Sequence, residues 1–137
     1  MARMVLGGTA AVLVALLAGF LWGVSGKSTI ERALNRSELR NELLEARSAA
    51  LTARVDVYNN NFGDASRHVE EARAAVTRAI QRLERLDRDD EATKLQDALG
   101  PIEEAQRLAA KLDLGANARA AEAVQTIDAV LETAGRP

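Results

Sequence analysis

Residues 30–62, IERALNRSELRNELLEARSAALTARVDVYNNNF, carry the periodicity that decides the fold. Ile30, Leu34, Ser37, Asn41, Leu44, Ser48, Leu51, Val55, Tyr58 and Phe62 follow alternating steps of four and three, the spacing of a heptad seam. A second stripe, Leu39, Leu43, Ala46, Ala50, Ala53 and Val57, lies beside it. Together they give an apolar face too broad for a simple two-stranded coiled coil and suited to a helix packed against two neighbours. Ser37, Asn41 and Ser48 weaken the narrow seam, and Asn41 is read as solvent-exposed. Leu44, Leu51, Val55, Tyr58 and Phe62 are the candidate partner-binding residues.

Downstream, Asn59, Asn60, Asn61, Phe62 and Gly63 end this helix, because Asn and Gly tolerate the left-handed backbone of a helix terminus. Asp64 is expected to cap the next helix, whose apolar positions are Ala65, Val69, Ala72, Val76, Ile80, Leu83 and Leu86. The two helices should therefore form an antiparallel hairpin across a tight turn. Asp87, Arg88, Asp89 and Asp90 read as a charged loop. A third helix from about Glu91 places Leu95, Leu99, Ile102, Ala105, Leu108 and Leu112 on one side, with Pro101 either kinking it or starting a new one. Leu114 and Gly115 end it. Asn117 is the expected cap of a last helix burying Ala121, Val124, Ile127 and Leu131, before Gly135, Arg136 and Pro137 fray. Strand signals are missing, so the chain is expected to be all-α, with an antiparallel bundle of about four helices in residues 27–137.

Upstream the character changes. Residues 5–24 hold twenty residues with no charge and a single hydroxyl, Thr9. At 1.5 Å of rise per residue such a helix matches a hydrocarbon core of ~30 Å. Residues 1–26 are therefore expected to be a single-pass transmembrane anchor in the lipid bilayer, with Trp22 and Lys27 as its interface residues. A basic start at Arg3 and small residues at Gly23, Ser25 and Gly26 also fit a cleaved signal peptide, although secretory apolar regions are usually shorter. Lys27, Arg32, Arg36 and Arg40 outnumber Arg3 across the run and would hold the body in the cytoplasm. Long domains translocate largely regardless of charge, and the expectation taken is an extracytoplasmic body of a bacterial-type envelope protein. Gly8, Ala11, Ala15 and Gly19 fall near four-residue intervals that would admit a second membrane helix.

The residue inventory excludes much chemistry. No cysteine is present, so there is no disulfide, thiolate nucleophile or cysteine-ligated metal, and a single histidine, His68, rules out a multi-histidine metal site. Glu70, Glu71, Glu103 and Glu104 lack the paired histidines of a di-iron bundle. His68 itself reads as a surface residue, without the nucleophile or carboxylate that would make it a base. Arg32, Arg36 and Arg40 read as part of a mixed, solvated face with Glu31, Glu38 and Glu42. All acidic residues and seventeen of the eighteen basic ones follow residue 26, leaving the body slightly acidic and without a nucleic-acid-binding balance.

Two short stretches resemble known families. Gly23 to Thr29, GVSGKST, is similar to the phosphate-binding loop of small kinases of the gluconate-kinase type. However, Leu21 stands where the first glycine belongs, and no strand precedes it. It reads instead as a break between two helices, with Ser28 and Glu31 as a capping box. Residues 62–75, FGDASRHVEEARAA, resemble the second helix of a tetratricopeptide repeat, with Ala65, Val69 and Ala72 on its small and aliphatic positions. The first helix lacks that family's W-x-x-L-G signature, and the resemblance implies a protein-binding helical groove. The expected function is a membrane-anchored, non-enzymatic scaffold or adaptor that binds another protein or itself, with no cofactor and no small-molecule substrate. The alternative is an accessory subunit of a membrane transport or enzyme complex that associates through its transmembrane helix.

Overall fold

The computed structural model describes the backbone of residues 2–134 and the side chains of residues 30–134. Five helices follow one another: α1 (Ala2–Tyr58), α2 (Phe62–Arg85), α3 (Asp89–Gln96), α4 (Leu99–Ala109) and α5 (Ala116–Ala134). No strand occurs among the described residues. The chain divides into an N-terminal unit of residues 1–36 and a compact unit of residues 37–137. Among the described residues no helix is long and apolar enough to cross a membrane. The apolar run at residues 5–24 and the interface candidates Trp22 and Lys27 fall where side chains are not described, and the frayed end at residues 135–137 lies outside the described residues altogether.

The helix break expected at residues 23–28 does not form, and α1 continues through it. Glycine inside a helix costs roughly 1 kcal/mol against alanine but blocks no hydrogen bond, and no proline interrupts this stretch.

Within the compact unit, α1 and α2 form the antiparallel hairpin that the sequence leads one to expect. Asn60 takes the left-handed conformation, with φ 58°, and the amide of Asn61 closes the turn on the carbonyl of Asp56 at 2.8 Å. Asn61, rather than Asp64, precedes α2. Asp64 sits in the first turn and accepts a 2.6 Å hydrogen bond from the Asn61 side chain, where a negative charge suits the helix dipole. Leu86 and Asp87 end α2, and Asp87, at φ 55°, makes the next turn. That leaves Asp89 and Asp90 inside α3 instead of in a loop.

Pro101 settles the choice left open above by starting a new helix. It is the third residue of α4, where the backbone amide has no intrahelical partner to lose, and the first such bond runs from Ile102 to Ala98 at 3.2 Å. α4 ends at Ala109, so Leu112 falls in the following loop, exposed and with φ 57°. Asp113 accepts a 2.8 Å bond from the Gly115 amide in the turn that leads into α5, and Asn117, expected to cap that helix, is its second residue instead.

The core is built mainly from alanine. Leu39, Leu43, Ala46 and Ala53 of α1 cluster with Val76, Ala79 and Leu83 of α2, Leu95 of α3, Ile102 and Ala105 of α4, and Ala123, Ile127 and Val130 of α5. Such small side chains let helix backbones approach closely. The gap among Ala50, Val69, Ala72, Ile102, Ala105 and Ala120 leaves no room for a water molecule.

Candidate functional site

The exposed side of α1 is the feature that the packing leaves unexplained. Written as a heptad with Asn41, Ser48 and Val55 at a and Ser37, Leu44, Leu51 and Tyr58 at d, the helix is two-faced. Positions b, c and f supply Leu39, Leu43, Ala46, Ala49, Ala50, Ala53 and Val57, all buried. The a and d positions face solvent: Leu44 is 39% exposed, Val55 57% and Tyr58 80%. Leu51 is half-buried. The narrow seam that reads as the centre of a buried face is therefore on the surface, and the second stripe is the core. In the N-terminal unit, Ile30 and Leu34 are exposed as well.

Two shallow grooves share Leu51 and Val55. One is lined by Leu44, Arg47, Ser48, Leu51, Thr52 and Val55, the other by Leu51, Arg54, Val55, Tyr58 and Asn117. Large apolar side chains recurring along a helix face in this way form the type of patch that marks an interaction surface. Of the candidate partner-binding residues, Leu44, Leu51, Val55 and Tyr58 lie together on this face. Phe62 does not join them. It starts α2, half-buried against Val57, Ala65, Ala109 and Ala116, because the turn at Asn59 to Asn61 interrupts the heptad.

Rows of opposite charge flank the seam and anchor it. On one side, Glu38 and Glu42 meet Arg82 of α2, which grips Glu42 with two bonds of 2.9 and 2.8 Å and also donates to Glu38. The Glu42 hydrogen bonds hold the Arg82 guanidinium above its ordinary pKa. Glu45 pairs with Arg78 at 2.7 Å. On the other side, Arg47 meets Asp128 of α5 at 2.6 Å, and Arg54 exchanges hydrogen bonds with Asn117 at 3.2 and 3.0 Å. Asn117 thus ties α5 to α1.

His68 is not the surface histidine expected. Its Nδ1 lies 2.6 Å from Asp56 of α1, with both side chains more than four-fifths buried. The pairing was legible, since Asp56 and His68 stand within one residue of equal distances from the turn at Asn61 and Phe62, as do Glu42 with Arg82, while Glu45 and Arg78 are equidistant from it. In an antiparallel hairpin, residues equidistant from the turn face each other. Among the described residues no group of three or more His, Asp and Glu is arranged to hold a metal ion.

No family model matches this chain, and no curated protein or solved structure matches it either.

Proposed function

We propose that this protein is a membrane-anchored, non-enzymatic helical scaffold or adaptor that binds another protein through the exposed seam of α1. The observation that carries the reading is the row Leu44, Leu51, Val55 and Tyr58, left facing solvent on a helix whose opposite face is fully packed. Leu, Val and Tyr presented at helical spacing are suited to a partner helix, and rigid flanks pinned by Arg82, Arg47 and Arg54 keep the surface preorganised. The resemblance of residues 62–75 to a tetratricopeptide helix points to protein binding as well.

The anchor belongs to the same proposal. Residues 5–24 lie inside α1 and are uncharged, and a spanning segment must be helical so that its backbone groups are satisfied internally. The body is proposed to lie on the extracytoplasmic side. Tethering raises local concentration, so a seam diluted by Ser37, Asn41 and Ser48 suffices for partner binding.

Affinity capture of the full chain from detergent-extracted membranes tests both parts. The doubly substituted Leu44→Glu/Val55→Glu chain is expected to lose its protein partners while keeping its helical circular dichroism and its resistance to carbonate extraction. Partners retained by that variant but lost when Gly8, Ala11, Ala15 and Gly19 are changed to leucine would favour the accessory-subunit reading instead. Release of the native chain by carbonate would remove the anchor.

A further inference from the structure

We infer that the occupant of the α1 seam is a second copy of this chain, joined as a parallel, in-register two-stranded coiled coil over residues 37–58. The inference rests on the partner-binding reading of the same seam and names the partner.

Charge decides both the partner and the direction. The g positions are Arg40, Arg47 and Arg54, and the e positions are Glu38, Glu45 and Thr52. In a parallel pair each g residue faces the e residue of the next heptad on the other helix. Arg40 then meets Glu45 of the second copy, twice by symmetry, while Arg47 and Arg54 meet Thr52 and Asn59. An antiparallel pair sets g against g and e against e, arginine row against arginine row and glutamate against glutamate. Like charges so placed oppose association. The flanks remain reachable: Arg40 is exposed and in no ion pair among the described residues, and the Glu45 and Arg47 side chains are 59% and 42% exposed despite their contacts within the bundle.

Register follows from the polar residues of the seam. Asn41, exposed in the single chain, occupies an a position, where two asparagine amides in register hydrogen-bond each other and a slipped pairing loses that bond. Leu44, Leu51 and Tyr58 then stack at successive d positions, and the surface that the bundle leaves bare is covered.

The chain has no cysteine, so single cysteines report contact cleanly. In the full-length protein in detergent, Ser37→Cys and Ser48→Cys are each expected to link to themselves under mild oxidation. Thr77→Cys, exposed on α2, is expected to stay unlinked, and adding Val55→Glu is expected to abolish linking at Ser48. Circular dichroism of the Val55→Glu chain checks that it is folded. Absence of linking at both seam positions, linking indifferent to Val55→Glu, or mixed linking of Ser37→Cys with Val55→Cys would each overturn the parallel self-pair. Self-association can fail while Leu44→Glu/Val55→Glu still strips a different protein from the captured complex. That combination would remove this inference and leave the adaptor reading standing.

Discussion

Replacing Leu43 by alanine is expected to lower the unfolding free energy by about 3 to 5 kcal/mol, the range for a fully buried leucine whose neighbours cannot collapse into the gap. Leu43 has no exposed surface and sits in the cluster that joins α1 to Leu83, Leu95, Ile102 and Ile127. Its surroundings are rich in alanine, and an alanine has no spare side-chain length with which to fill the hole. The vacated space therefore stays a cavity. Against a total stability of about 5 to 15 kcal/mol for a domain of this type, the loss is a large fraction, and urea unfolding followed by far-ultraviolet circular dichroism measures it directly.

Arg82→Ala is the second large effect, expected at about 2 to 3 kcal/mol. The cost arises from what is left behind. Glu42 is only 14% exposed and receives both of its arginine hydrogen bonds from Arg82, so the alanine variant keeps a largely desolvated carboxylate with neither. Arg82→Lys should recover only part of the loss, because an ammonium cannot reproduce the two-pronged grip on Glu42 while also reaching Glu38. The Glu42→Ala/Arg82→Ala double variant should be less destabilised than the two single losses added together, as a thermodynamic cycle on the four proteins would show. Exposed pairs such as Arg67 with Glu71 or Arg119 with Glu122 are screened by solvent and should contribute far less than the Arg82 contacts.

Much of this fold was legible in the residues. The stripe Ala65, Val69, Ala72, Val76, Ile80 and Leu83 is buried along α2, and the Asn-rich turn falls where its composition places it. The errors have a common origin. Periodicity reports that two apolar stripes run along α1, but both share the three-and-four spacing, and spacing alone does not say which one faces inward. The discriminating signal was polarity. Ser37, Asn41 and Ser48 interrupt the outer seam, whereas Leu39, Leu43, Ala46, Ala50, Ala53 and Val57 run without a polar residue. The helix caps differ from expectation for a related reason. Asp64 and Asn117 are good caps by type, yet a side chain one or two residues inside the helix can serve a different purpose, as Asn117 does in reaching Arg54. Of the candidate site, the residues of the exposed face could be read but not their exposure, which depends on where α2 and α5 dock.

The two-faced character of α1 underlies both proposals, and neighbouring leucines test it. Leu43 is fully buried and Leu44 is 39% exposed, so one residue of sequence separates the two faces. Paired urea unfolding of Leu43→Ala and Leu44→Ala, at a concentration dilute enough to keep the chain monomeric, is the most direct measurement. The large loss is expected for Leu43→Ala and a change within about 1 kcal/mol for Leu44→Ala. Equal losses at the two positions would contradict it, because the seam would then belong to the core of the bundle and would offer no surface to a partner.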